Sequence, residues 1–398
     1  MLNNNLYKKH ILIIVENLPV PFDRRVWQEA NTLKEAGATV SIICPIMKGY
    51  DKKYEVINDI HIYRHWLPAE ASGAKGYLLE YSVALFNEFF LSCKIFLKKR
   101  FHVIHGCNPP DLIFLVALFF KLFGVTYLFD HHDINPELYI AKYNKKGFFY
   151  KFLLLVEKWT FKTANFSIAT NESYKKIGIT RGNMPENKIQ IIRSGPKLDR
   201  LKLTSGNLKY KKGREYLVGY VGVVGEQEGL DLLLASIKYI VSERQDIQFG
   251  IVGGGTEINK LKMLTQEMEL TDYVDYYGRV DDNTMVDVLN TADVCVNPDR
   301  PTEMNALSTM NKIMEYMALK KPIVQYDLKE GRFSAQNASL YADNTDTDDF
   351  ARKIIWLIDN PDKRKEMGEY GYSRVINELS WDHESKKLID FYNIILSS

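Results

Sequence analysis

The feature that most constrains this chain is an alternation that runs from end to end. Short runs rich in β-branched and apolar residues recur, separated by stretches long enough for a helix. Strands that cross over a helix before returning to their sheet pair in parallel, and helices then cover both faces. In the first half the pattern predicts strands at 11–15, 39–43, 103–105, 126–130, 166–170 and 189–192. Helices fit between them: residues 24–36 are followed by Gly37, a residue suited to a left-handed C-terminal cap, and then by the next strand. Periodicity fails between Pro196 and Arg214, where Gly206, Gly213 and five lysines or arginines in 200–212 resemble a solvated linker. A second series follows, with strands at 216–221, 248–252, 274–277, 294–297 and 323–326. The expectation is an α/β chain of two doubly wound domains, 1–198 and 214–378, joined by a linker at 199–213, with an amphipathic helix at 381–398.

Size and composition agree: 398 residues, 46% hydrophobic and 26% charged, suit two or three globular domains. The longest apolar run, Leu112 to Phe120, is well short of the ~18 to 20 residues that cross a bilayer. The apolar stretch Ile11 to Val15 ends at Glu16 without a small-residue cleavage site, so it reads as a strand and the expected location is cytoplasmic. Cys44, Cys93, Cys107 and Cys295 are scattered, which argues for buried thiols and against a zinc site. A net charge of +2 hides an asymmetry: residues 1–200 hold 28 Lys+Arg against 18 Asp+Glu, or +10, and the remainder is −8. The first half therefore suits an anionic partner. The basic residues follow no nucleic-acid-binding module, so nucleic acid is not expected.

Open α/β sheets bind ligands at strand C-termini near a topological switch point, so the chemistry should lie on loops after strands. The first strand of the second domain runs into Gly222-Val223-Val224-Gly225, where glycines let backbone amides approach a phosphate; a tight turn without ligand is the alternative. Gly253-Gly254-Gly255 is a second such turn. The most informative stretch is Leu307-Ser308-Thr309-Met310-Asn311-Lys312-x-x-Glu315-Tyr316-Met317-Ala318. A polar loop there opens a helix with a carboxylate one turn in. Amides at Ser308, Thr309 and Asn311 with the Lys312 ammonium suit a diphosphate, and Glu315 suits the two hydroxyls of a ribose.

Those residues, with Gly278-Arg279-Val280 and Ala292-Asp293-Val294, resemble the nucleotide-sugar domain of family 4 glycosyltransferases of GT-B fold. Asp23-Arg24-Arg25-Val26-Trp27, Asn108-Pro109-Pro110-Asp111 and Asp130-His131-His132-Asp133-x-x-Pro136-Glu137 resemble a bacterial subgroup that includes O-antigen and capsule N-acetylaminosugar transferases. The resemblance implies two Rossmann-like domains facing a central cleft and a last helix that packs back on the first domain. It also implies a retaining transfer from a nucleotide sugar, UDP-linked by expectation, to a lipid-linked saccharide. The donor would lie on Gly222, Gly225, Arg279, Val280, Ser308, Thr309, Asn311, Lys312 and Glu315. His132, with His131 the runner-up and Asp133 orienting the loop, would stand beside the transferred sugar. Arg24, Arg25 and Asn108 would meet acceptor or diphosphate.

Departures from the family pattern matter. The first carboxylate of its Glu-x7-Glu pair falls on Leu307, and Glu303 is out of register. The usual Arg and Lys after the first strand of the second domain are replaced by Val223 and by Glu226 to Glu228. A GT-B epimerase and a non-catalytic scaffold therefore stay open as alternatives. GT-B enzymes generally meet the leaving diphosphate with amides and cations, so no metal or other cofactor is expected, although a His-His-Asp cluster has ligand chemistry. Finally, 77–100 and 145–162 mix Phe, Tyr, Trp and Leu with lysines. That composition suits the surface of an anionic membrane, or else a buried core face.

Overall fold

The computed structural model describes residues 5–68 and 73–397, with side chains in the helix Gly73–Lys98 from residue 79 onward. Residues 1–4, 69–72 and 398 of the expected spans, and the Tyr77 side chain, lie outside those described. Two compact units divide the chain: Met1–Ser194 with Glu384–Ser398, and Gly195–His383.

The first unit is built on an eight-stranded sheet: β1 (His10–Val15), β2 (Thr39–Pro45), β3 (Tyr54–Ile57), β4 (Ile60–His65), β5 (Val103–Cys107), β6 (Thr126–His131), β7 (Phe166–Ala169) and β8 (Ile189–Ile191). Their order is β3-β4-β2-β1-β5-β6-β7-β8, parallel throughout except that β3 runs against β4. All six residues of β1 are buried, as a central strand covered on both faces requires. The pair β3 and β4 is not among the strands expected above: Glu55, His61 and Arg64 interrupt the apolar run, and Tyr54 and Val56 stand exposed on an edge. The winding direction reverses between β1 and β5, so the loops that begin at Glu16 and Asn108 flank the switch point.

The second unit carries six parallel strands: β9 (Tyr216–Val221), β10 (Ile247–Val252), β11 (Val274–Gly278), β12 (Val294–Asn297), β13 (Ile323–Tyr326) and β14 (Ser339–Ala342), in the order β11-β10-β9-β12-β13-β14. The short edge strand β14 was not expected either. Leu233, Ile237 and Ile240 of the helix Leu230–Glu243 pack with Phe350, Ile354 and Leu357 of the helix Thr347–Asp359 in one core cluster. Ile313, Tyr316 and Met317 lie in the other, with Leu289. Each such buried side chain contributes about 1.5 to 3 kcal/mol. The switch point lies between β9 and β12, at the loops starting with Gly222 and Pro298.

The expected linker at 199–213 is instead part of the second unit. Leu201 and Tyr210 are buried in its core, and Asn207 N donates to Thr291 Oγ1 (2.7 Å). Lys202, Lys209 and Lys212 point outward, Lys211 pairs with Asp293 (2.9 Å), and the two apolar anchors decide where the segment belongs. The helix Trp381–Ile395 enters the first unit at Glu384 and buries Leu388, Phe391, Tyr392 and Ile395, spaced as one helical stripe. Phe391 meets Phe166 edge-on with centroids 5.8 Å apart, and Asn5 N donates to Asn393 Oδ1 (3.0 Å). Among the described residues no helix is long and apolar enough to cross a membrane.

Candidate active site

At the end of β6 successive side chains point to opposite faces of the sheet, which separates the Asp-His-His-Asp run. His131 shares a face with Phe129 and is buried among Phe129, Phe161 and Tyr174, with centroids 5.0 to 5.4 Å away. Burial, with Arg181 adding to it, pulls its pKa down to about 3. His131 is therefore a neutral core histidine, which corrects its expected role beside a sugar. Asp130 points the other way and is fully buried. Burial alone would push its carboxyl up, but Arg25, His132 and His105 overcome that and hold it well below the usual range. His132 lies past the strand end with 13% of its side chain exposed, and its Nε2 sits 2.6 Å from Asp130 Oδ2.

Arg25 is also recast. Its Nη2 bonds Asp130 Oδ1 (2.9 Å) and pairs with Glu29 (3.0 Å). Its Nη1 donates to Ile192 O (2.9 Å) and Ser194 Oγ (3.1 Å). This guanidinium is buried and committed internally, so it is unsuited to a diphosphate; its neighbour Arg24 is exposed at the start of the helix Arg24–Glu35, which Asp23 caps by accepting from Val26 N (3.0 Å). Asn108 is buried too. Its Oδ1 accepts from His132 N (2.6 Å) and Asp133 N (3.1 Å), while its Nδ2 donates to Asp133 O and Asp111 Oδ1 (2.7 Å each). It shapes the His132–Asp133 loop and does not reach outward, which corrects its expected contact with acceptor. Asp133 serves that loop through its backbone; burial pushes its carboxyl up, partly offset by His132.

Glu29, His105, Cys107 and Asp130 bring ligand-type atoms within 4.8 Å of one another. The Arg25 guanidinium already supplies the cation for two of those carboxyls, so the set does not fit a metal ion.

In the second unit the expected donor loops meet at the C-terminal edge of the sheet. Gly253 lies so close to Gly222 that a Cβ would fall 1.8 Å from Gly222 O, and Val224 N donates to Gly254 O (3.2 Å). Gly253 and Gly255, the latter with a Cβ that would fall 2.3 Å from Val224 O, thus serve backbone-to-backbone packing. Arg279, exposed, passes over Gly254, and Val280 packs on the core. Gly225 leads into a short turn, Glu226–Glu228, before the helix Leu230–Glu243, and a Cβ on Gly225 would meet Glu228 Oε2 at 2.7 Å. Ser308 turns its hydroxyl back to Met304 O (2.7 Å), and Thr309 is half-buried beside it.

The helix Asn311–Ala318 has Met310 at its N-cap, with no side-chain cap. Its amides there are intrinsically anion-binding. Tyr316 braces this helix: its hydroxyl accepts from Val221 N (2.9 Å) and donates to Val296 O (3.2 Å), at the ends of β9 and β12. Lys312 lies against the Tyr220 ring and donates to Asp299 Oδ1 (2.8 Å). Burial pushes the Asp299 carboxyl up, with Lys312 partly offsetting it. Burial likewise raises Glu228, which feels both Lys312 and Asp299. Glu315, 12% exposed, pairs through Oε1 with Arg200 Nη2, and Arg200 Nη1 reaches Asp282 Oδ1 (3.3 Å). Asp299, Arg200 and Tyr220 were not singled out from sequence, and Tyr316 entered only as part of the quoted motif, without a role. The position of Asp299 directly after a switch-point strand was the signal available for it.

Comparison with known proteins settles what these loops belong to. Residues 23–195 match the family described as glycosyl transferase 4-like domain, and residues 215–360 match glycosyl transferases group 1. The chain is a GT4-type glycosyltransferase. The capsular polysaccharide biosynthesis glycosyltransferase CapM of Staphylococcus aureus is 25% identical over 391 residues, 90% of this chain and 96% of CapM. Sucrose-phosphate synthase from Thermosynechococcus elongatus superposes with a TM-score of 0.82 at 19% identity, over 98% of this chain and all of that one. Anabaena HepE, in a complex with UDP and glucose, gives 0.73 at 12% identity, over 97% of this chain and all of HepE. The transferase has the GT-B fold.

Proposed function

We propose that this glycosyltransferase moves a hexose or N-acetylhexosamine, with retention, from a UDP-linked donor to a lipid-linked saccharide in bacterial surface polysaccharide assembly, at the cytoplasmic face of the membrane. The observation that carries the donor reading is the uncapped start of the helix Asn311–Ala318, with Lys312 in its first turn and Glu315 one turn in. Such a terminus favours phosphate by dipole and amides together, and Glu315 takes the ribose hydroxyls. The UDP bound by HepE and the role in CapM's name support the same reading. In the second unit the amides, Lys312 and Arg279 meet the diphosphate without a metal and the base lies against 278–280; in the first, Arg24 suits acceptor or diphosphate and His132 the transferred sugar. Calorimetry with UDP tests this: Glu315→Ala loses a charge-assisted bond and is expected to weaken binding about 10- to 100-fold. UDP binding as tight as in the parent protein would refute the ribose assignment.

The acceptor reading is supported by an exposed apolar face on the first unit. In the helix Phe148–Thr163, Phe148, Phe152, Leu155 and Trp159 are exposed at i, i+4, i+7 and i+11, while Val156, Thr160 and Phe161 are buried. Lys151, Lys158 and Lys162 flank that stripe. In the helix Gly73–Lys98, Leu79, Phe86, Phe90 and Leu97 make a second exposed stripe, and Phe89 adjoins Phe119 of the helix Phe114–Lys121 edge-on (5.1 Å). These side chains are not core, and aromatic stripes edged by lysine suit an anionic bilayer surface. Vesicle co-sedimentation is expected to show binding that needs anionic lipid, weakens with salt and is reduced by changing Lys145, Lys146 and Lys151 together to Glu. Equal pelleting of parent and variant, or none, would favour a soluble acceptor.

A further inference from the structure

The glycine loop after β9 was expected to bring backbone amides to a phosphate, but most of those amides are committed within the protein. Gly222 N donates to Val252 O (3.0 Å) and Val224 N to Gly254 O (3.2 Å). Gly225 N bonds the carboxylate of Glu228, which folds back over the turn: a Cβ on Gly225 would lie 2.7 Å from Glu228 Oε2. An anion of the protein therefore rests where the loop would receive one from a ligand. The same place adjoins Lys312. Its Cε lies 3.3 Å from the position of a Cβ on Gly222, and its ammonium is held between the Tyr220 hydroxyl (3.4 Å) and Asp299 Oδ1 (2.8 Å). Burial raises the Glu228 carboxyl and Asp299 adds to this, while Lys312 and the amides of Gly225 and Glu228 favour its ionised form. Tyr220, which senses both carboxyls, stays protonated because burial raises it. One ammonium thus faces two carboxyls, and the stretch 222–229 holds no lysine or arginine. Asp299 is buried behind that ammonium, whereas Glu228 is only half-buried. Of the two, Glu228 is the one an incoming anion meets.

We infer that Glu228 sets the discrimination between a sugar-linked and a free nucleoside diphosphate, by opposing the extra negative charge that the outer phosphate carries once the sugar has left. This rests on the donor reading above, in which Lys312 meets the diphosphate. In a nucleotide sugar the outer phosphate is substituted on both sides and carries one charge. Freed of the sugar it is a terminal phosphate, whose second proton is lost near pH 6, so it carries close to two charges at about pH 8. Coulomb repulsion is proportional to charge, so a carboxylate that weakens the donor about three-fold weakens the product about ten-fold. Lys312 alone would act in the opposite sense, holding the more highly charged product more tightly than the donor. Glu228 offsets that preference, and the nucleotide can then leave the lysine that bound it as substrate, a step that limits turnover in many enzymes.

The test is calorimetry on the full chain at about pH 8, with UDP and with whichever of UDP-glucose and UDP-N-acetylglucosamine raises the melting temperature more. Glu228→Gln keeps the shape of the side chain and an acceptor for Gly225 N while removing the charge. It is expected to bind UDP about ten-fold more tightly and the sugar nucleotide about three-fold more tightly, with both gains shrinking in high salt. Glu228→Ala should give the same ratio of gains, which separates the charge from the hydrogen bond. Glu226→Gln, which removes an exposed carboxylate from the same turn, should change UDP affinity by less than about two-fold. UDP bound no more tightly by either Glu228 variant than by the parent protein would overturn the inference and leave the donor reading intact. So would an equal gain in Glu226→Gln, because the effect would then belong to the net charge of the surface. Weaker binding of the sugar nucleotide with UDP unchanged would also overturn it, by making Glu228 a contact of the sugar. Absence of UDP binding in the parent protein and in both Glu228 variants would instead sink the donor reading, and the inference with it.

Discussion

The two units treat their charged side chains in opposite ways. In the first, Arg25, Glu29, His105 and Asp130 are buried behind one partly exposed group, His132, and bond chiefly to one another and to backbone. In the second, Lys312 and the Arg200–Glu315 pair keep 10% to 20% of their side chains exposed at the strand-end loops, where the proposed diphosphate and ribose would compete for the same atoms, although Asp299 behind Lys312 is itself buried. A site assembled from interlocked buried charges is rigid and sensitive to loss of any member. One assembled from partly exposed pairs is exchangeable, and suits a ligand that must enter and leave in every turnover. The difference teaches where to look for chemistry and where for binding: preorganised groups in the first unit, replaceable partners in the second.

The largest effect expected of this contrast is on stability. Arg25→Leu leaves the Asp130 carboxylate buried without its cation, a change of the kind that costs about 3 to 5 kcal/mol, while burial keeps the neighbouring Glu29 carboxyl protonated. Denaturant unfolding followed by hydrogen exchange should place that loss in β1, β5 and β6. A loss under about 1 kcal/mol would break the comparison, because the buried cluster would then be no more interlocked than a surface pair.

Acid should act on the two units unequally as well. Seven of the eight histidines lie in the first unit; the second has only His383. Burial holds His131 at about 3 and His10 at about 4, below their ordinary 6.5. Below pH 6.5 the unfolded chain therefore takes up protons that the folded one refuses, and stability falls as pH drops toward 4 and then 3. The opposite slope comes from buried carboxyls of the same unit: Glu16, raised to about 10, Glu88, to about 8, Glu157, to about 7, and Asp111, to about 6, all chiefly by burial. Those carboxyls stay protonated when folded, so their contribution is lost as pH climbs from about 4.5 through those values. The first unit should be most stable near pH 4.5 to 6.5, and His131→Phe should flatten the acid side by about 1 kcal/mol per pH unit. Chemical unfolding at pH 6.5, 5 and 4 measures this. A His131→Phe slope equal to that of the parent protein would mean the ring is not the proton-refusing group.

Much of this contrast was legible in the sequence, and the remainder was hidden for physical reasons. Strand and helix order followed from apolar periodicity, and the Asn311-Lys312-x-x-Glu315 helix came out with both side chains at the loop mouth. Neighbouring like residues were harder. Arg24 and Arg25 read alike, as do His131 and His132, yet one of each pair is buried, and the deciding partners lie far along the chain: Asp130 for Arg25, Phe161 and Tyr174 for His131. Tyr392 and His105, hydrogen-bonded at 2.8 Å, are 287 residues apart, beyond any local pattern. The 199–213 stretch read as linker because its lysines outnumber Leu201 and Tyr210, although those two anchor it. Polar edge strands such as β3 lack the apolar run that marks a central one.

The smallest expected effect is also the one that most sharpens the comparison. Arg200 touches Glu315 and Asp282 much as Arg25 touches Asp130 and Glu29, through one guanidinium and two carboxyls. What differs is solvent. Arg200 is 20% exposed and Asp282 is 42% exposed, whereas Glu29 and Asp130 are wholly buried. When Arg200 is removed, water can solvate the carboxylates it leaves behind; when Arg25 is removed, nothing can. Arg200→Ala should therefore cost less than about 1 kcal/mol, within the range of exposed ion pairs, and high salt should shrink even that. The same unfolding measurement on both arginine variants gives the answer. If Arg200→Ala destabilised the second unit as much as Arg25→Leu does the first, its pair with Glu315 would be a fixed part of the fold, and a ribose could not displace it at ordinary donor concentrations.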